Sequence, residues 1–226
     1  LDLVKKAGLA LEKKGMLDHR AKVCLCLDVS ASMFHLYRAG LVQRLAERVL
    51  ALGCRFDDDG EIDVILFGRN AAFVAPMRLA GHSRYVDGVT KDPAFSGVGN
   101  SDTVYHNAFA AIRDFYFKGG APKPAELPAY VMFITDGDTS SAGEAKRLMG
   151  ELSHVPIFWQ FMAVGGRESD FRFLRDLDTM SGRHVDNANF FHVASPTSLT
   201  DEELYGKLMG EYPDWVKKVR GMGMIR

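Results

Sequence analysis

Only three cysteines, Cys24, Cys26 and Cys54, occur in 226 residues. An odd number cannot form a complete disulfide set, and no C-x-x-C or H-E-x-x-H spacing supplies a zinc site. Cys24 and Cys26 lie two apart on a strand-like run, so both point to one face. Buried thiols in a reducing compartment are the plain reading. Long apolar runs are scarce as well. The longest, Val155 to Val164, is interrupted by Gln160 and falls short of the roughly 18 residues that span a bilayer. The N-terminus alternates lysine pairs with short apolar stretches and shows no signal-peptide core. Charge of one sign is also lacking. A formal net charge of -1 gives no electrostatic pull toward nucleic acid or an anionic membrane. The G-x-x-x-x-G-K-[ST], G-x-G-x-x-G and G-x-S-x-G patterns are missing, which removes the common phosphate-loop, dinucleotide and serine-hydrolase signatures.

What remains is an ordinary globular composition, 47% hydrophobic and 25% charged, long enough to bury a large core without staples. Residues 1–20 read as an amphipathic helix or arm, with Leu3, Val4, Leu11 and Leu17 available for burial and Gly8 weakening the helix. This stretch suits a junction to an upstream domain; residues 21–226 read as one domain. Lys22 to Val29 is a nearly continuous apolar strand of the kind covered on both faces. Val42, Leu45, Val49 and Leu52 recur at three- and four-residue spacing, predicting a helix from Tyr37 to Leu52 that Gly53 ends. Glu61 to Phe67 is a strand, and Ala71 to Met77 a short neighbour that a hairpin at Asn70 would make antiparallel. His82 to Val89 reads as a short helix, Asp92 to Asp102 as loop, and Val104 to Phe117 as helix. Strands follow at Tyr130 to Thr135, Pro156 to Val164 and Asn189 to Val193. Helices are expected near Gly143 to Leu152, Phe171 to Leu177, and Asp201 to Arg220, the last kinked or divided at Pro213. Strands alternating with helices predict an α/β fold. Its core is a doubly wound, mostly parallel six-stranded sheet with one short antiparallel edge strand and helices on both faces.

Chemistry concentrates where three strands or loops meet helices. Asp28, Ser30 and Ser32, in Cys26-Leu27-Asp28-Val29-Ser30-Ala31-Ser32-Met33, follow the first strand. Thr103 closes Gly99-Asn100-Ser101-Asp102-Thr103, and Asp136 lies in Thr135-Asp136-Gly137-Asp138 after the most apolar strand. Each group alone is compatible with helix capping or an ordinary turn. Their order, D-x-S-x-S, then threonine, then T-D-G, resembles the metal-ion-dependent adhesion site of von Willebrand factor type A (vWA) domains across nearly the whole chain. Ala108, five residues after Thr103, agrees with the small residue usual there; Ser101-Asp102-Thr103 departs from the frequent G-G-T. The resemblance implies that Asp28, Ser30, Ser32, Thr103 and Asp136 hold one Mg²⁺, Mn²⁺ or Ca²⁺ ion, the serines and threonine directly and the aspartates directly or through water. Two carboxylates nearly neutralise a dication, and three neutral hydroxyls leave it able to take an outside anion. The implied partner is a protein presenting Asp or Glu, and the implied role is a monomeric, non-enzymatic interaction module. The competing class is a Mg²⁺-dependent phosphatase with Asp28 as nucleophile, although Ser30 occupies the position where that chemistry wants a second aspartate. An exported adhesin would need a leader that this sequence does not display.

A narrower resemblance rests on Leu36-Tyr37-Arg38-Ala39-Gly40 and Ala51-Leu52-Gly53-Cys54-Arg55-Phe56-Asp57-Asp58-Asp59-Gly60. These segments look like the vWA modules of bacterial tellurium-resistance (Ter-type) stress proteins, some of which carry a TerD-like calcium-binding domain ahead of the module. That implies a cytoplasmic stress-resistance role, with other Ter-type proteins as candidate partners. The Asp57-Asp58-Asp59-Gly60 run fails the EF-hand register, since its glycine is fourth instead of sixth, and reads as a solvated turn. His106, three residues beyond Thr103, reads as a surface or packing histidine because hard cations select oxygen.

Overall fold

The computed structural model describes residues 2–57 and 59–226; of the residues discussed above, Leu1 and Asp58 lie outside this set. Six strands form one sheet: β1 (Lys22–Asp28), β2 (Glu61–Phe67), β3 (Ala71–Arg78), β4 (Ala129–Thr135), β5 (Ile157–Val164) and β6 (Ala188–Val193). Their order is β3-β2-β1-β4-β5-β6, with β3 antiparallel to β2 and every other pairing parallel. The hairpin at Asn70 thus produces the antiparallel edge expected from its turn. Chain direction across the sheet reverses at β1. The chain first builds outward through β2 and β3, then returns to add β4 on the other side of β1.

Period-two alternation within the strands makes two apolar layers. Val23, Leu25 and Leu27 of β1, with Tyr130, Met132 and Ile134 of β4, face one core. Cys24 and Cys26, with Val131 and Phe133, face the other. Both thiols are fully buried, and burial pushes them well above the ordinary cysteine range, so they behave as small core hydrophobes. Cys54 is half-buried.

The helices are α1 (Asp2–Lys13), α2 (Phe34–Arg38), α3 (Leu41–Phe56), α4 (Tyr85–Val89), α5 (Pro93–Gly97), α6 (Tyr105–Phe117), α7 (Ala142–Leu152), α8 (Arg172–Thr179), α9 (Asp201–Leu208) and α10 (Tyr212–Gly221). Three differ from expectation. The helix predicted from Tyr37 to Leu52 is two. Gly40, at φ 70°, separates α2 from α3, a left-handed conformation that favours glycine. Gly53 does not stop α3, which runs to Phe56. A Cβ there would sit 2.2 Å from Ile62 Cγ2, so this glycine lets α3 approach β2. The predicted loop at Asp92 contains α5, begun by the Asp92 side chain accepting from Ala94 N at 2.8 Å with proline in the first turn. The terminal helix is divided, with Pro213 in the first turn of α10.

Helix α1 packs on α3 and α9. Lys6 pairs with Asp201 at 2.9 Å and Lys13 with Glu202 at 2.5 Å. Leu11 is buried, but Leu17 is 39% exposed and does not join the core as expected. Gly8 is buried against the Arg55 guanidinium, 3.2 Å from where its Cβ would lie, which explains a weak helix former at that point. Lys22 pairs with Asp57 and, at 3.5 Å, with Asp59, in keeping with a solvated acidic turn.

Candidate functional site

The carboxyl ends of β1 and β4 flank the point where strand order reverses, the usual crevice for ligands in open α/β sheets. Asp28 ends β1 and is fully buried. Its Oδ1 accepts from Ser30 N at 2.7 Å and its Oδ2 from the Thr135 hydroxyl at 2.6 Å. Burial pushes its carboxyl up to about 6, opposed by these two hydrogen bonds and reinforced by the nearby Asp136 charge. Tyr37 Oη donates to the Asp28 carbonyl at 2.9 Å, bracing the backbone from α2.

Ser30 and Ser32 straddle the start of the short 3₁₀ turn Ala31–Met33. Their hydroxyls lie 3.1 Å apart, and Ser32 Oγ donates to Asp136 Oδ1 at 2.8 Å. Asp136 is raised from its ordinary value, first by burial, with Ser32 and His35 lowering it. Four of the five predicted residues are therefore joined in two linked sets, one through Asp28 and Ser30, the other through Ser30, Ser32 and Asp136.

Thr103 arrives from a separate loop and lines the same cleft as Ser30 and Ser32, together with Asn100, Asp138 and Thr139. Its carbonyl accepts from Ser140 N at 3.1 Å and Thr139 Oγ1 at 2.9 Å, so the β4–α7 loop holds it. Ala31 N donates to the Asn100 carbonyl at 3.0 Å, joining the loop to the serine turn. Gly68 permits that approach: a Cβ there would meet the Gly99 carbonyl oxygen at 2.1 Å. His106 hydrogen-bonds Ser141 Oγ at 2.9 Å and is absent from the cleft lining.

Sequence reasoning did not single out Thr135, Tyr37 or Tyr105 for the site. Thr135 was visible as the first letter of T-D-G, but nothing in the sequence showed its hydroxyl turned back to Asp28. Tyr105 Oη donates to the Gly137 carbonyl and so fixes the turn after Asp136. Asp138 and Thr139 continue the quoted motif into the cleft.

Among the described residues no three His, Cys, Asp or Glu side chains gather as a metal cage. The donors that converge are hydroxyls and two carboxylates, a hard-oxygen set that fits Mg²⁺ or Mn²⁺ and not a soft metal. The same geometry disfavours Asp28 as a nucleophile, because both its oxygens are hydrogen-bonded and neither is exposed.

Residues 20–225 match the family model described as the vWA domain found in the TerF C terminus. The chain belongs to this vWA-TerF-like family. A relative, the uncharacterized protein YcbR of Bacillus subtilis (strain 168), is 34% identical over 228 residues, covering 100% of this chain and 90% of YcbR. Among solved structures, the mussel byssus proximal thread matrix protein 1 with a zinc-occupied MIDAS motif superposes at a TM-score of 0.57 and 12% identity. That match covers 84% of this chain and 47% of the mussel protein, so the chain spans about half its length. The SpRpn10 VWA domain gives 0.54 and 10%, covering 84% of this chain and 95% of that domain. At these identities the two structures show the fold alone. vWA domains commonly mediate protein interaction and are typically non-enzymatic. No helix among the described residues is long and apolar enough to cross a membrane.

Proposed function

We propose that this vWA-TerF-like chain is a divalent-cation-dependent protein-interaction module that captures an Asp or Glu side chain of a protein partner. The observation that carries the reading is the convergence of Ser30, Ser32 and Thr103 on one cleft, with Asp136 bonded to Ser32 and Asp28 bonded beneath Ser30. In this reading Ser30, Ser32 and Thr103 offer neutral oxygens, while Asp28 and Asp136 balance the charge. A bound dication supplies a Lewis-acidic point of attachment for an incoming carboxylate.

The chain's own residues set the terms of that capture. Thr135 and the Ser30 amide orient Asp28 away from solvent, so its charge acts from below the cleft. Asp102 and Asp138 also line the cleft, so capture of an acidic visitor depends on the bound dication to offset their charge. Burial of the site on partner binding would strengthen the attraction by lowering the local dielectric.

Membership of the family named for TerF supports a place in bacterial tellurite or stress resistance, with other Ter-type proteins as candidate partners. The buried thiols of Cys24 and Cys26 suit a reducing, cytoplasmic setting. The test is affinity capture of partner proteins by the full chain in Mg²⁺ and in EDTA, with an Asp28→Ala control. Capture that is unchanged by EDTA and by Asp28→Ala would sink the reading.

A further inference from the structure

A second pocket lies beside the cleft, built from the same two chain segments together with Val86, Asp87 and Thr90 of the α4 region. Ala31 and Ser32 line the cleft, and Phe34, Tyr37 and Arg38 of the next helix line the pocket. Asn100 to Thr103 line the cleft, and Phe95 of α5, just before them, lines the pocket. The pocket measures about 480 Å³, within the range of sites that hold a ligand group. Its walls are aromatic. Phe34 stacks on Phe95 with centroids 5.8 Å apart and planes at 27°, and Tyr37 meets Phe95 edge-on at 5.2 Å. Both phenylalanines remain partly open to solvent. Tyr37 ties the pocket to the strand end beneath the cleft, since its ring forms a pocket wall and its hydroxyl donates to the Asp28 carbonyl at 2.9 Å.

The rim carries a charge preference. Arg38 is exposed and makes no ion pair among the described residues. Asp87, the acid at the rim, already faces Arg84 at 3.9 Å. An acidic segment is thus favoured at the pocket mouth, as it is in the cleft once the proposed cation is bound.

We infer that the Phe34–Tyr37–Phe95 pocket is a specificity subsite for a large apolar or aromatic side chain on the same acidic peptide segment whose carboxylate enters the Ser30–Ser32–Thr103 cleft. This rests on the proposed carboxylate capture and adds a second anchor to it. One carboxylate contact cannot distinguish among the many exposed acids of other proteins. An adjoining apolar pocket can, because burying a side chain such as Phe is worth about a tenfold gain in affinity or more. Arg38 at the mouth adds preference for a further acid nearby.

The experiment displays random seven-residue peptides with a central Asp on phage and selects them on the immobilised full chain in Mg²⁺, eluting with EDTA. A Mg²⁺-dependent thermal shift is measured in parallel. The expected result is enrichment of Phe, Tyr, Trp or Leu at a fixed offset from the Asp. In fluorescence anisotropy, replacing that residue by Ser should weaken binding about tenfold. Thr90→Trp, which fills the pocket from its rim, should erase the apolar preference while the Mg²⁺ shift reports that the variant is folded. Arg38→Glu should reduce binding of selected peptides that carry a second acid. EDTA-eluted peptides with no apolar preference, or with one that Thr90→Trp leaves intact, would overturn the subsite and leave carboxylate capture standing. A wild-type chain with neither a Mg²⁺ shift nor EDTA-eluted peptides would overturn carboxylate capture and the subsite with it.

Discussion

Thr135 donates its hydroxyl to Asp28 Oδ2 at 2.6 Å, across the neighbouring strands β1 and β4. Both residues are fully buried. The bond orients the carboxylate from within the fold and satisfies an oxygen that water cannot reach. It ties the two central strands together at their carboxyl ends, where the candidate site sits.

Removing that donor should be costly. Thr135→Val keeps the shape of the side chain but leaves a buried carboxylate oxygen short of a partner. Urea unfolding should show a loss of roughly 1–3 kcal/mol, whereas Thr135→Ser should recover most of it. Equal stability of the valine and wild-type chains would refute this account of the pair.

The paired substitution Asp28→Ala with Ser30→Ala should cancel metal-dependent stabilisation. For the wild type, free Mg²⁺ at a hundred times its Kd should add about 2.7 kcal/mol. The double variant should melt at one temperature with or without Mg²⁺, with its far-ultraviolet circular dichroism unchanged. A wild-type melting point that ignores Mg²⁺ and Mn²⁺ would count against cation binding.

Gly68→Ala should damage the cleft from below. Its Cβ would fall 2.1 Å from the Gly99 carbonyl oxygen, a backbone atom that cannot rotate away. Gly68 also accepts from Val104 N at 2.9 Å, so the displaced loop is the one that delivers Thr103. Overpacking of this kind costs roughly 1–3 kcal/mol. A misplacement worth 1.4 kcal/mol at the site would raise the Mg²⁺ midpoint about tenfold. Gly88→Ala, with open space around its Cβ and an ordinary φ, is the neutral control in the same titration.

Acid should weaken the fold through His19. Its ring hydrogen-bonds Tyr212 Oη at 2.8 Å and packs edge-on against Phe56. Burial, then the positive charges of Arg220 and Arg20, lower it from 6.5 to about 4. The unfolded chain therefore takes up a proton that the folded chain refuses between these values. This contribution is fully present above pH 6.5 and is lost as pH falls toward 4, on the order of 2 to 3 kcal/mol after allowance for solvent screening. His19→Gln keeps a hydrogen-bonding group and cannot titrate there, so its urea midpoint should change less over that range. An identical pH profile for the two chains would rule out His19 as the source.

The sheet was readable because its strands announce themselves. Tyr130 to Ile134 is apolar at every position, and the turn at Asn70 separates two β-rich runs. The order of the site motifs was readable for the same reason, since each follows a strand or leads into a helix. What escaped depends on contacts between distant residues. Gly53 looks like a helix stop until Ile62 is seen beneath it. Leu17 looks like core, yet the buried side of α1 ends at Leu11. Thr135 looks like a motif letter until its hydroxyl is seen to meet a carboxylate 107 residues away. The pocket of Phe34 and Phe95 has no local signature, because three separate segments, around α2, α4 and α5, supply its walls.

Residues 225 and 226 pair with the segment ahead of β4 in an isolated parallel bridge, Ala125 with Ile225, and Arg226 N donates to the Ala125 carbonyl at 3.0 Å. Ala125 lies just ahead of β4, at the pole opposite Asp28. A fluorophore, surface linker or fused reporter attached after Arg226 would therefore leave from the far side, and the serine turn would face freely into solution. Immobilisation through that end is the orientation in which cation-dependent partners can be measured without the support shielding them.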